Sequence, residues 1–448
     1  MTSARTASQL WQELLAAEKD GASIRMLRDE QHRQRLLFGT RAICCVAQPL
    51  FVTAAEARHV TEGTRLLMSA WRKIARVLES EPDLRALLSL SAEEERILAA
   101  DRQPFEPDVV GRMDGFLADG EFRVVEYNAE SPGGIGYGDA LARIFEGLPV
   151  MERFRQQQPC RGFYGLARTH RALLQAHNER LGHPAATPVR IAIVDRLDVP
   201  TVREFELCAE TFSALGSPAQ VVDVHALRFE NGVLSAGNFR PDIVYKRILV
   251  QDLLGLGGTE HPLVRAVAAG AVTCASGFGV HLLFRKELFA MLLHPACRAR
   301  LDAEETAAVQ RHVPWSAFVT QESSAPDGSP LLEWIRRERA SLVLKPGGSY
   351  GGSGVTLGWL VDDAAWEKAL GEALATPSLV QRRVALPLAR FASLDEPGVT
   401  SAFRADLDPY VWNGRDIEGF GARLAPGDLL NVTAGGGSAV PVFTLEEP

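Results

Sequence analysis

Residues 112–128 carry four side chains whose types and spacing point to chemistry: Arg112-x-Asp114 and, twelve residues after the aspartate, Glu126-x-Asn128. The apolar run Phe122, Val124, Val125 reads as a strand, yet it ends in a carboxylate and an amide. Residues two apart on a strand share a face, so Glu126 goes with Asn128 and Arg112 with Asp114. Such an oxygen-rich face suits Mg²⁺, which takes one or two carboxylates and completes its shell with phosphate and water. The other reading is a solvent-facing strand with incidental polar residues. The turn between the two halves discriminates. A two-residue Asp119-Gly120 turn puts Asp114 and Glu126 on opposite faces; a three-residue loop, with Gly120 left-handed in a bulge, puts them on one. The metal reading predicts the second geometry.

Further along stand Lys345, Pro346, Gly347, Gly348, Ser349, Tyr350, Gly351, Gly352, Ser353 and Gly354. Five glycines and two serines in ten residues make a flap between two predicted strands. This is no P-loop, which joins strand to helix and ends in G-K-[ST]. Bare backbone N–H groups can approach phosphates closely, and the lysine at the flap's base supplies a point charge. The alternative is a long surface hairpin. Lys286 is a candidate second phosphate lysine or a surface lysine. The Leu379, Val380, Gln381 run is either a strand edge for adenine or a plain core strand. Arg423, within G-F-G-A-R and ahead of Asn431 and a glycine run from Gly435, can reach a cleft to meet a transferring phosphoryl group or an acyl phosphate, or form a surface salt bridge.

The elements that must position these groups are legible in outline. The chain has 448 residues, 46% hydrophobic and 23% charged, with a net charge of −8. Two to four domains of an ordinary globular protein fit that length and composition. No long basic block is present, so neither nucleic acid nor an anionic membrane is an expected partner. The six cysteines form no C-x-x-C pair, and the N-terminus has no apolar signal core. The longest apolar stretch, 43–55, is interrupted by Gln48 and Pro49 and is too short to span a bilayer. A cytoplasmic protein with reduced thiols is the expectation. Residues 1–105 read as a helical segment. A helix is predicted from 139, then a β-α-β unit over 189–224 with Asp195 at the carboxyl end of its first strand, and a hairpin at Asn231-Gly232. Lys286 opens a helix, the strand after the flap runs through Trp359, and the last sixty or so residues read as antiparallel strands.

Taken together these residues resemble the ATP-grasp ligases. Metal pair, glycine flap, two lysines and adenine strand are that family's parts, but here the E-x-N pair precedes the lysines. That order is similar to the circularly permuted members, the glutathionylspermidine synthetase-like carboxylate–amine ligases. The resemblance rests on R-x-D, E-x-N, K-P-x₅-G-x-G, Val380-Gln381 and G-x-G-x-R, and runs from about residue 104 to the C-terminus. It implies an α/β (α+β) fold: a permuted ATP-grasp core over 106–185 and 276–448, an inserted parallel α/β domain over 186–275, and the helical segment 1–105. It implies Mg²⁺ on Asp114, Glu126 and Asn128. ATP would contact Lys286, Lys345, the flap and Gln381, and Arg112 and Arg423 would hold the γ-phosphate and acyl phosphate. The expected substrates are a small-molecule carboxylate and an amine of amino acid, peptide or polyamine type. The segment after Asn128 departs from the glutathionylspermidine synthetases, and their Cys/His amidase half is missing, so their substrates do not carry over. A small-molecule kinase and a non-catalytic nucleotide-binding protein are the rival expectations. An oxidoreductase reading of Gly134, Gly136 and Gly138 leaves the flap unexplained.

Overall fold

The computed structural model describes residues 3–348, 354–430 and 437–447. Ser349, Tyr350, Gly351, Gly352 and Ser353 of the flap, and Asn431, Gly435 and Gly436 near the C-terminus, lie outside the described residues. The chain is a mixed α/β protein with several small sheets.

The hairpin Val110–Ala118 and Glu121–Asn128 belongs to a four-stranded antiparallel sheet. Asp408–Trp412 lies beside its first strand, and Asp416–Gly421 forms the far edge. Its turn is not the predicted three-residue loop. Ala118 faces Glu121 directly, and Asp119 and Gly120 have φ of 52° and 78°. Positive φ at both central residues gives the two-residue turn whose twist matches the strands. The extra residue enters higher up. Gly115 faces Val124 while Asp114 faces Glu126, leaving Val125 unpaired in a bulge. Directly opposed residues share a face, so Asp114 and Glu126 do after all. Gly115 permits this, because a Cβ there would sit 2.5 Å from the Phe122 ring. Its backbone is held instead: its N–H donates to Asp408 Oδ1 at 3.2 Å and its carbonyl accepts from the Leu407 N–H at 2.9 Å.

The first 105 residues are not helical throughout. Helix Ala54–Ser80 starts at a reciprocal capping box of Thr53 and Glu56 and lays Trp71 edge-on against Tyr127 of the hairpin, 5.6 Å between ring centroids. Just before it, the β-favouring Leu50–Thr53 forms a strand. It runs parallel to Val442–Leu445, which also pairs antiparallel with Cys160–Arg161. The N-terminal segment and the C-terminal strand thus share one sheet and one core.

The β-α-β unit forms as predicted: Ile191–Asp195, Val202–Ala214, Ala219–Asp223. Its sheet is all parallel, ordered Thr273–Ala275, Ile243–Lys246, Ile191–Asp195, Ala219–Asp223, and it has a separate apolar core. The strand order reverses between Ile191–Asp195 and Ile243–Lys246, where ligands of such sheets bind. A hairpin turns at Asn231-Gly232, as expected.

A further antiparallel sheet is ordered Ser316–Phe318, Ser378–Arg382, Leu342–Pro346, Thr356–Leu357. Three expectations fail locally. The strand after the flap ends at Leu357, short of Trp359. The helix predicted from 139 spans Ile135–Glu146, because Gly134 at φ 101° starts it early. Lys286 lies between helices Val280–Phe284 and Leu288–Met291 rather than opening one. The C-terminal strands Leu388–Ala392, Thr400–Ala405 and Arg423–Ala425 are antiparallel as read, whereas Val442–Leu445 also takes a parallel partner in Leu50–Thr53. Among the described residues no helix is long and apolar enough to cross a membrane, and all six cysteines are free.

Phe443, in the middle strand of the three-stranded sheet, is fully buried. Phe443→Ala is expected to cost about 3–5 kcal/mol, read as a lowered denaturant midpoint in equilibrium unfolding.

Candidate active site

The bulged hairpin gathers two charged groups on one face. The first is buried. Arg112 grips Asp114 with two hydrogen bonds, Nε to Oδ1 at 2.7 Å and Nη2 to Oδ2 at 3.0 Å. Arg423 arrives from the far end of the chain and donates Nη2 to the same Asp114 Oδ2 at 2.6 Å. It also pairs with Asp406 Oδ2 at 2.7 Å and Asp408 Oδ2 at 3.3 Å. Burial alone would raise the Asp114 pKa, but the two guanidiniums overcome it and hold the carboxyl at about 2. Burial and the neighbouring Asp114 and Asp406 carboxylates push Asp408 well above its ordinary range. Asp406 and Asp408 escaped the sequence reading. Their D-x-D spacing, the same two-residue step as Arg112-x-Asp114, was the available signal.

The second group lies one step along the hairpin. Lys286 Nζ meets Glu126 Oε1 at 2.6 Å. Lys345 Nζ donates to Gln381 Oε1 at 2.7 Å and to the Val125 carbonyl at 2.9 Å. The bulge therefore aligns Glu126 with Asp114 and also turns a bare carbonyl toward Lys345. Burial, opposed by Glu126, lowers the Lys345 pKa to about 8. Gln381 is held from behind, its Nε2 donating to Ser316 Oγ at 3.1 Å.

Arg112, Asp114, Glu126, Lys286, Lys345, Gln381 and Arg423 line one cavity of about 240 Å³. Its other half is an apolar slot with Val343, Leu357, Trp359, Val384 and Leu386 in its walls. Arg383 lies 4.0 Å over the Trp359 ring, and Asp428 holds both, 2.7 Å from Trp359 Nε1 and 3.2 Å from the Arg383 guanidinium. The adenine-edge expectation for Leu379, Val380 and Gln381 is corrected. Val380 pairs with Ala317 on one side and Leu344 on the other, so that strand has no free edge. The cavity instead borders the segment just after it, at Arg383, Val384 and Leu386.

A second cavity, about 230 Å³, opens on the other side of the ion cluster; Arg112 and Arg423 line both cavities, and Asp408 lines this one. It lies under the Gly133-Gly134 turn and reaches Pro200, Thr201 and Glu204 of the α/β unit. Glu204 is another residue the sequence reading missed, being one acidic residue among several in its helix.

No family model matches the sequence, and no curated protein does. Solved structures do match. The chain superposes on a glutathione synthetase-like effector from Globodera pallida, in the apo form, with a TM-score of 0.58 at 11% identity, covering 99% of this chain and 96% of that one. The fold is the ATP-grasp fold. A protein assigned as a gamma-glutamylcysteine synthetase from Methylobacillus flagellatus KT aligns at TM-score 0.45 and 13% identity over 84% of this chain and 88% of that one. A RimK-domain ATP-grasp protein from Sphaerobacter thermophilus DSM 20745 aligns at 0.29 and 17% over 55% and 92%. Both scores are too low to bear on the argument, and 11% identity speaks to fold alone.

The donor set can be tested against Mg²⁺. Among the described residues no three His, Cys, Asp or Glu side chains converge as a self-sufficient metal site. Two opposed carboxylates, Asp114 and Glu126, stand with Asn128 on one face of the hairpin. The buried Asn128 Nδ2 has no hydrogen-bond partner, so the amide can turn its oxygen outward without losing a bond. Hard oxygen donors, few in number, match an ion that shares its shell with phosphate and water.

Proposed function

We propose that this protein is an ATP-dependent ligase that joins a small-molecule carboxylate to an amine through an acyl phosphate. One observation carries the reading: two cavities meet at a common wall of Arg112 and Arg423. One has an apolar slot and two lysines, the form of a nucleotide site. The other has room for a small acid. A phosphoryl group passing between them crosses the guanidiniums.

In this reading the apolar slot beside Trp359 takes adenine. Lys345 and Lys286 take phosphate oxygens as point charges. Asp114, Glu126 and Asn128 would hold Mg²⁺, which would supply positive charge to offset that of the phosphates. Arg112 and Arg423 hold the substrate carboxylate in line and neutralise charge on the transferring group. The carboxylate oxygen attacks the γ-phosphorus and ADP leaves; the amine then attacks the acyl carbon and inorganic phosphate leaves. Positioning and charge do this work, so no protein nucleophile is needed. The permuted order, metal hairpin before lysines, is part of the same proposal.

Glu126→Ala and Lys345→Ala are each expected to abolish ATP turnover while leaving the circular dichroism spectrum and melting temperature near wild type. Wild-type turnover in either variant sinks the assignment, and a phosphorylated acceptor in place of an amide plus phosphate makes the protein a kinase.

The Lys345 pKa sets a pH dependence as well. In the free protein Lys345 is a cation below about pH 8 and neutral above it. ATP affinity is therefore expected to fall as the pH rises through about 8, and Lys345→Ala to remove that step. Calorimetric titration on either side of the transition checks both.

A further inference from the structure

Resting on the ligase reading, we infer that the second cavity takes a zwitterionic α-amino acid with an apolar side chain as the carboxylate substrate. The Gly133-Gly134 turn is flanked by opposite charges. On one side Arg112 Nη1 donates to the Gly133 carbonyl. On the other, Glu204 Oε1 accepts from the Gly134 N–H at 2.8 Å and the Gly136 N–H at 3.0 Å. Glu204 is 2% exposed, yet its second oxygen accepts no hydrogen bond. The nearest cation, Arg247, stands 3.8 Å away. A buried carboxylate oxygen with an unfilled lone pair is costly, and an ammonium group brings the missing donors. Guanidinium at one end of a two-residue turn and carboxylate at the other match the two charges of an α-amino acid.

Wall chemistry narrows the side chain. The walls include Phe163, Tyr410, Phe420, Leu37 and Val442. Phe163 is admitted by Gly419, where φ is 78° and a Cβ would lie 2.1 Å from the ring. Of the other two carboxylates in the wall, Asp408 belongs to the ion cluster with Arg112 and Arg423, and Asp139 is spent: its oxygens take the Gly165 N–H at 2.5 Å and the Leu166 N–H at 3.1 Å. A second charge on the substrate would meet apolar surface there, which disfavours acidic side chains and polyamines.

The test uses hydroxylamine as the amine, with ATP and Mg²⁺, so that each acyl phosphate yields a hydroxamate and inorganic phosphate. Phenylalanine and leucine are expected to react with kcat/KM about tenfold or more above aspartate, lysine and glutathione, and 3-phenylpropanoate, lacking the ammonium, to show a KM about tenfold higher than phenylalanine. Glu204→Gln retains an acceptor for Gly134 and Gly136 and replaces the second oxygen; it is expected to raise the KM for phenylalanine about tenfold without a matching rise for 3-phenylpropanoate. Its Kd for ATP reports that the variant is folded. A preference for charged side chains, or an unchanged KM for phenylalanine in Glu204→Gln, overturns this inference and leaves the ligase reading standing. Calorimetric binding of phenylalanine that depends on Glu204, with no hydroxamate from any acid, upholds the pocket and overturns the ligase reading. Absence of both binding and turnover of phenylalanine overturns the inference outright.

Discussion

One buried guanidinium and three buried carboxylates meet a second, half-buried guanidinium where Arg112, Asp114, Asp406, Asp408 and Arg423 come together. Ions taken out of water are tolerated only when paired and hydrogen-bonded, and removing one partner strands the rest. That requirement ties together segments far apart in sequence: Asp114 and Arg423 are 309 residues apart and 2.6 Å from one another. Asp408–Trp412 pairs with Val110–Ala118 in a register that brings Asp114 to Arg423 and Arg112 to Asp408. The four-stranded sheet is therefore specified by charge as well as by its apolar face.

A second buried network fixes the other end of the hairpin. Two residues beyond Asn128, Glu130 accepts from Lys246 Nζ at 2.7 Å and from the Val250 N–H at 2.8 Å. Its other oxygen is 3.3 Å from His281, whose far nitrogen is 2.9 Å from Glu94. Burial opposes ionisation of Glu130, but Lys246 and His281 hold its pKa at about 2. The α/β sheet, the Val280–Phe284 helix and the Ala92–Ala100 helix thus converge on one carboxylate. The Gly133-Gly134 turn, a few residues on, inherits a fixed position between the two cavities. Its placement follows from ion pairing at Glu130 and Glu204 more than from the turn itself.

The residues that the structure gathers around the candidate site were largely legible, because oxygen and nitrogen donors at the end of an apolar strand conflict with a plain core role. Arg112, Asp114, Glu126, Asn128, Lys286, Lys345, Gln381 and Arg423 all border one cavity, and the parallel β-α-β unit followed from its alternating pattern. What failed was local or long-range. The bulge at Val125 has no residue signature of its own; it arises from the contact of Phe122 with the bare Gly115 backbone, a tertiary fact. The turn at Asp119-Gly120 was therefore asked to supply an offset that lies higher in the hairpin. Leu50–Thr53 was absorbed into a helical reading because its partner strand begins at Val442, beyond the reach of any local pattern. Glu204 is ordinary by type and spacing, and only the turn packed against it gives it a role.

The resting charges of the site explain how it can remain buried and still accept a polyanion. Each cation that would meet phosphate is paired with a carboxylate that would meet the metal: Lys286 with Glu126, Arg423 with Asp114. On the ligase reading, Mg²⁺ and nucleotide arrive with opposite charges and exchange partners with these pairs, so neither the lysine nor the carboxylate is stranded at any stage. Lys345 is the exception, held only by neutral acceptors, Gln381 and the bulge carbonyl, and its depressed pKa of about 8 records the burial that those bonds do not offset. A lysine kept in that condition gains more from a phosphate than one already neutralised by a carboxylate. The unpaired residue that realigns the hairpin thus also leaves its neighbouring lysine as the cation with most to gain from a ligand.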